Sequence, residues 1–263
     1  FAIGSMMNKV SLRARGIAPE ESRPAVLRGF RLDFRYEQGM AFAVPDPTAS
    51  IHGVMHRVTP RELVVLDRIE FIYSRATGAA KPYGEAGETP VTLYVSAYGQ
   101  ELPPEFPPSE RYIDVMLEGA SSHGVAEEWL NHLRSVPKRK RRRPEEFCTF
   151  QLPANPLIFA PEAVAAADGS RPGPVLSVIN GKVVQYGGLP GDAHWSFASQ
   201  MAGRDCTCLM AQVLYDPKYG LPASLEEMTA EHQAAVEDFQ ANTQSFPWSG
   251  VGWLRGRQPK AKL

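Results

Sequence analysis

The sequence predicts an α+β fold. Runs with a period of two alternate with helical runs through the first half. The helical runs open on capping residues, and the strand runs stop at Gly, Pro or Asn. With 263 residues the chain is long enough to bury one large core or two small ones.

Taken in order, Phe1-Ala2-Ile3 reads as a strand end running into a Gly4-Ser5 turn. Residues 24–36 alternate, with Phe30, Leu32 and Phe34 on one face. Residues 40–44 and 51–58 read as two paired strands joined across Pro45-Asp46-Pro47, a strong turn signal. A helix follows, with Thr59 at the N-cap, Pro60 in the first helical position and Glu62 completing a capping box. Residues 91–98 form a further strand. Pro103, Pro104, Pro107 and Pro108 then lead into a helix bearing Tyr112, Ile113, Met116 and Leu117, capped by Gly124. The next helix carries Trp129, Leu130 and Leu133.

Residues 138–143 are an unbroken basic run closed by Pro144. Such runs serve as nuclear-localisation signals or nucleic-acid patches. Here no aromatic side chains interleave to stack bases, and the whole chain carries a net charge of −1. A solvated linker is the expected role, and no nucleic-acid partner is expected. The expected organisation is a first domain over 1–136, a basic linker over 137–147 and a C-terminal extension over 148–263.

In the extension, Asn180-Gly181 between two apolar runs is a strong hairpin signal. Residues 209–215 read as an apolar helical segment stopped by Asp216-Pro217. Ser224 and Glu227 predict a capping box opening a helix with Leu225, Met228, Val236 and Phe239 on one stripe. Trp248 and Trp253 predict a tail that docks, either on this chain's own surface or on a protein partner. No apolar run is long enough to span a bilayer, so an integral membrane protein is not expected. Cys148, Cys206 and Cys208 make no disulfide framework and fit a reducing compartment. The chain begins at Phe1 rather than Met, so a removed presequence is one reading, and cytoplasm and organelle both stay open.

Chemistry concentrates in few places. Leu63, Leu66, Asp67 and Glu70 share one helix face, which sets Glu70 at the inner edge of the last turn. The negative end of the helix dipole and partial burial both disfavour its ionisation. A carboxyl raised in this way is suited to exchanging a proton near neutrality; the plainer reading is a solvated Glu at a fraying end. The Gly4-Ser5 turn, with Met6 after it, is able to present backbone N–H groups to an anion, as many strand–turn–helix junctions are. Cys206 and Cys208 with Asp192 and His194 make a weak metal-site pattern, for which inert thiols are the simpler account. His52 and His56 alternate on one strand without a carboxylate at telling spacing, and Ser5 lacks a Gly-x-Ser-x-Gly elbow.

Several of these elements together resemble one family. Phe1-Ala2-Ile3-Gly4-Ser5-Met6 is similar to the Phe-Ala-Tyr-Gly-Ser-Asn opening of γ-glutamylcyclotransferase-like (AIG2-like) proteins. Ile51-His52-Gly53-Val54-Met55 resembles their x-x-Gly-Val-x strand. Leu66-Asp67-Arg68-Ile69-Glu70 resembles their Leu-Asp-x-x-Glu element, and the helix from Tyr112 to its His123-Gly124 end resembles their tyrosine-bearing helix. The likeness spans roughly 1–136. It implies a small, mixed or mostly antiparallel β-barrel with flanking helices, followed here by the α/β extension.

It also implies a lyase that cyclises a γ-glutamyl peptide or amine to 5-oxoproline without metal or cofactor. Glu70 would be the general acid/base. The loop Ile3, Gly4, Ser5 and Met6 would bind the substrate through backbone N–H groups, with Tyr73 and Tyr112 orienting it. Three positions depart from the pattern: Ile3 for Tyr, Met6 for Asn, and Phe71 where Gly commonly follows the catalytic Glu. These departures and the long extension favour the alternative, a non-catalytic member of the fold serving as scaffold or accessory subunit.

Overall fold

The computed structural model describes residues 1–36, 38–70, 72–97, 101–141, 146, 148–191, 195–242 and 248–258. Phe71, Asp192 and His194 lie outside them. The chain forms two units, Phe1–Arg141 with Tyr215–Leu221, and Arg142–Leu214 with Pro222–Leu263.

In the first unit, β1 (Glu21–Arg35), β2 (Met40–Arg57), β3 (Tyr73–Pro82) and β4 (Thr89–Ser96) close into a barrel in the order β1-β2-β4-β3. The pairings are antiparallel except β2 with β4, which meet in parallel at Ala43 and Val95. The α+β class is therefore as expected. Leu27, Ala43, Ile51 and Leu93 are buried inside the barrel, with Ile3 packed against them. Burial of each large apolar side chain contributes roughly 1.5–3 kcal/mol.

The two strands expected across Pro45-Asp46-Pro47 are instead one, β2, and both halves pair with β1. Arg28 opposes Ser50 and Phe30 opposes Pro45, so residues 46–49 bulge out opposite Gly29. Asp46 Oδ1 accepts from the Thr48 N–H and hydroxyl, so the turn chemistry shapes a bulge instead of reversing the chain.

Around the barrel lie α1 (Lys9–Arg13), α2 (Pro60–Ile69), α3 (Glu110–Ser122) and α4 (Glu127–Ser135). Met7, Val54, Ile113, Met116, Leu130 and Leu133 form the core between α3, α4 and the sheet. The arginines at the start of the basic run are partly covered by the first unit. The Arg139 guanidinium lies 4.7 Å from the Phe106 ring centroid, and its backbone N–H donates to Pro108 O at 2.8 Å. Arg141 Nη2 reaches Asp114 at 2.8 Å and Asp216 at 2.9 Å. Carboxylates on α3 and on the Tyr215–Leu221 segment thus hold Arg141, which a charge run alone does not reveal.

The second unit holds a sheet ordered β5-β8-β7-β6, made of β5 (Leu157–Phe159), β6 (Leu176–Ile179), β7 (Lys182–Tyr186) and β8 (Trp248–Leu254). Asn180 and Gly181, with φ of 50° and 75°, make the expected tight turn between β6 and β7. The helices are α5 (Pro161–Ala165), α6 (Trp195–Met201), α7 (Thr207–Val213) and α8 (Ala230–Asn242). α8 begins later than the Ser224–Glu227 box predicts. Its start is at Thr229, whose hydroxyl accepts from the His232 N–H at 3.3 Å, while the Glu227 carboxylate accepts from the Ala223 N–H. Trp248 and Trp253 sit in β8 of this unit's own sheet: Trp248 is buried beside Tyr186, with ring centroids 5.2 Å apart, and Lys182 covers Trp253.

Candidate active site

The site is assembled at the end of α2. The expected capping box is present: Thr59 accepts from the Glu62 N–H at 3.2 Å, and Glu62 accepts from the Thr59 N–H at 2.8 Å. Glu70 caps the other end of this ten-residue helix. Its N–H donates to Leu66 O at 2.8 Å and its C=O accepts from the Tyr73 N–H at 2.9 Å. The last turn of α2 and the first residue of β3 are therefore one hydrogen-bonded unit, which sets Glu70 and Tyr73 at a defined separation. Asp67, one turn earlier, accepts from Arg75 Nε at 2.6 Å and from the Tyr94 hydroxyl at 2.8 Å. It anchors α2 to β3 and β4, leaving Glu70 as the carboxyl on that face without such a partner.

Among the described residues, no group donates a hydrogen bond to the Glu70 carboxyl. Burial pushes it up to about 7, opposed by the Arg15 guanidinium. Burial also raises the Tyr73 and Tyr112 phenols, and Glu70 adds to both shifts. A carboxyl, two phenols and a guanidinium are thus within electrostatic reach of one another in a desolvated place.

Both phenols are fixed by Ala41 of β2. The Ala41 N–H donates to Tyr112 Oη at 3.3 Å, and Tyr73 Oη donates to Ala41 O at 3.1 Å. On a strand, the N–H and C=O of one residue point to the same side, so both hydroxyls meet a single small patch. With the Ala41 N–H on its oxygen, Tyr112 keeps its own proton free to donate, while Tyr73 keeps lone pairs free to accept.

The opening loop reaches this patch by close approach. A Cβ on Gly4 would lie 2.5 Å from Tyr112 Oη, so only glycine allows the contact. The loop makes a 3-10 turn at Ser5–Met7, and Asn8 then caps α1 by accepting from the Val10 N–H at 2.8 Å. Asn8 Nδ2 donates to Val115 O at 3.2 Å and to Glu118 at 2.7 Å, which ties the loop to α3. The two pass so closely that a Cβ on Gly119 would meet Met7 and Asn8 backbone at 2.6 Å. His56 holds the loop from the barrel side: Nε2 donates to Met6 O at 3.0 Å, and Nδ1 accepts from the Ser22 hydroxyl at 2.8 Å. Burial drives His56 down to about 4, so it is neutral at physiological pH.

Of the residues singled out in the sequence, Gly4, Ser5, Glu70, Tyr73 and Tyr112 converge here. Met6 contributes backbone, and its N–H finds no acceptor among the described residues. Ile3 packs its side chain into the barrel core. The sequence reading passed over Arg15, Ala41 and Arg111, and it weighed His56 only beside His52 and not as a support of the opening loop. Ala41 acts only through its backbone, His56 acts from a strand distant in sequence, and no spacing rule marks Arg15 or Arg111. Cys206 is buried, its thiol donates to Met201 O, and burial pushes it up to about 11, which suits an inert thiol. Among the described residues no cluster of His, Cys, Asp and Glu is arranged to hold a metal ion, and no helix is long and apolar enough to cross a membrane.

No curated protein matches the chain by sequence. Solved structures with local similarity include a γ-glutamyl cyclotransferase, at 20% identity over 53% of this chain and 87% of the other, with a TM-score of 0.46. An uncharacterized protein from Homo sapiens aligns at 21% identity over 53% and 87%, with a TM-score of 0.46. YkqA from Bacillus subtilis aligns at 23% identity over 53% and 55%, with a TM-score of 0.44. At these TM-scores the structural likeness carries no further weight. The family comparison agrees with the motifs: residues 1–113 match the family described as "Gamma-glutamyl cyclotransferase, AIG2-like".

Proposed function

We propose that the first unit releases an amine from a γ-glutamyl compound by closing the γ-glutamyl group into 5-oxoproline, with Glu70 as the proton carrier. One observation carries this reading: the Glu70 carboxyl, raised by burial to about 7, is unpaired among the described residues and within charge range of Tyr73 and Tyr112. A scaffold gains nothing from a desolvated carboxyl of this kind, which costs stability whenever it ionises.

The chemistry follows from the groups present. The substrate α-ammonium gives a proton to ionised Glu70, and the freed amine attacks the γ-carbonyl of the same molecule. The new C–N bond closes a five-membered ring, and the bond to the departing nitrogen breaks as Glu70 returns its proton there. Glu70 then takes the surplus proton left on the ring nitrogen, giving the neutral lactam, and passes it to the released amine, which leaves as an ammonium. No water is consumed. Because both reacting groups belong to one molecule, the protein's main task is to hold the folded-back conformer. Tyr73, with free lone pairs, is suited to accept from the amine. The Tyr112 hydroxyl and the Met6 N–H are suited to donate to the carbonyl oxygen as it gains charge, the kind of preorganised donation that stabilises such an intermediate most.

The test is release of 5-oxoproline from a panel of γ-glutamyl amino acids, peptides and amines. Turnover of at least one member is expected. A folded protein that releases none contradicts the proposal.

A further inference from the structure

The segment Tyr215–Leu221 belongs to the first unit, although the chain on either side of it, to Leu214 and from Pro222, belongs to the second. It opens on the Asp216-Pro217 pair that stops the helical run of α7. The segment carries its own shape. Asp216 O accepts from the Tyr219 and Gly220 N–H groups, each at 3.0 Å, and Oδ1 accepts from the Lys218 N–H at 2.9 Å. Gly220 supplies the positive φ, 81°, that this turn requires. A turn whose groups satisfy one another in this way is suited to act as a rigid clip.

The clip sits on α3, the helix that bears Tyr112. Arg111, the residue before Tyr112, donates from Nη1 to the Tyr215 carbonyl at 2.8 Å. Two turns further along the same face, Glu118 Oε1 accepts from Tyr215 Oη at 3.2 Å. The other oxygen of that carboxylate accepts from Asn8 Nδ2 at 2.7 Å. Asn8 and Tyr215 are both buried, 2% and 8% exposed, and both spend a donor on Glu118. One carboxylate thus ties the end of the opening loop to a tyrosine more than two hundred residues later. Arg141 fixes the same segment from its other side through Asp216, at 2.9 Å.

We propose that Tyr215 is a positioning residue of the candidate site. Through Glu118 it holds Asn8 and the opening loop, and through Arg111 it holds the start of α3 beside Tyr112. The site is then built in part by residues beyond the 1–113 that match the family. The effect on turnover rests on the function proposed above, and the effect on the loop does not. The Met6 N–H, offered to the carbonyl oxygen as it gains charge, lies in the stretch that Asn8 anchors. A loosened anchor therefore weakens a contact made in the transition state, and its loss falls on kcat more than on KM.

The test compares the whole chain with Tyr215→Phe, which keeps the ring and the backbone carbonyl on Arg111 and removes only the bond to Glu118. Hydrogen exchange of the amides of residues 3–9 is read by mass spectrometry, with β4 as the internal reference. Loop exchange faster by about three- to tenfold, with β4 unchanged, is expected. In turnover of a γ-glutamyl compound that the parent accepts, kcat is expected to fall by a similar factor with KM within about twofold. Loop exchange equal to the parent overturns the inference, and so does a loosened loop with unchanged kcat. Equal acceleration in β4 also overturns it, because that marks general loosening. Should Tyr215→Phe fail to fold, Glu118→Leu removes the shared carboxylate, and parental loop exchange in that variant overturns the inference in the same way. Glu118→Gln, whose oxygen accepts from Asn8 while its NH2 donates to the Tyr215 oxygen, is expected to restore the parental loop. Because exchange is read without turnover, the two ideas fail separately. A loop that responds in a chain releasing no 5-oxoproline keeps the clip and removes the reaction. Release with kcat and loop exchange unchanged in Tyr215→Phe keeps the reaction and removes the clip.

Discussion

Tyr73 and Tyr112 are held by the same residue, one donating to the Ala41 carbonyl at 3.1 Å and the other accepting from the Ala41 N–H at 3.3 Å. They are not equivalent. Tyr73→Phe leaves one carbonyl without its donor, whereas Tyr112→Phe strands the Ala41 N–H, and an orphaned buried N–H is tolerated less well than a carbonyl, which has two lone pairs. An unsatisfied buried group costs about 1–3 kcal/mol. Tyr112→Phe is expected to be the more destabilising of the two by about 1 kcal/mol in urea unfolding. It is also expected to raise KM more, since it releases the opening loop.

Glu70 and His56 give the protein opposing responses to pH. Glu70 titrates at about 7 when folded against 4.5 for the unperturbed group, so the native state holds the extra proton. Its effect is to lower stability as pH rises from about 4.5 to about 7. His56 titrates at about 4 against 6.5, so the unfolded state holds the extra proton. Its effect is to lower stability as pH falls from about 6.5 to about 4. Glu70→Gln should therefore gain stability over the parent toward pH 8, by at most about 3 kcal/mol. His56→Gln should flatten the acid side of the stability profile. Melting temperatures at half-unit pH steps check both, and identical profiles for parent and Glu70→Gln would mean that the carboxyl is solvated.

Gly119→Ala places a methyl carbon against Met7 and Asn8 backbone, which cannot give way as a flexible side chain does. Overpacking of this kind costs about 1–3 kcal/mol. Chemical denaturation should show that loss together with a raised KM, because the displaced segment leads directly from the opening loop. An alanine here with parental stability would show that the loop and α3 are less closely packed.

Arg141→Met removes both ion pairs and leaves Asp216, only 8% exposed, without its cation. The expected cost is about 1–3 kcal/mol, above the 0–1 kcal/mol typical of a surface pair. Loss below about 0.5 kcal/mol in urea unfolding would mean that Arg141 contributes no more than a surface charge.

Local chemistry was legible in the sequence, and contacts between distant segments were not. Thr59, Pro60 and Glu62 start a helix because their groups satisfy one another within a single turn. Asn180-Gly181 turns because both residues accept positive φ. The same kind of signal misled at Pro45-Asp46-Pro47, where pairing of both halves of β2 with β1 outweighed a local preference to turn. It misled again at Ser224 and Glu227, where the helix begins instead at Thr229. In the site, Glu70, Tyr73 and Tyr112 were recognisable from their surrounding motifs. Arg15 and the Ala41 backbone were not, since their roles exist only once β2, α1 and the end of α2 meet.

The most direct test of the account is single-turnover formation of 5-oxoproline by the parent and by Glu70→Gln at pH 7. Gln keeps the size and polarity of the side chain but cannot accept the ammonium proton. The account predicts a rate lower by about a hundredfold to ten-thousandfold with substrate affinity little changed. A Glu70→Gln protein that forms 5-oxoproline as fast as the parent would contradict it and place the proton carrier elsewhere.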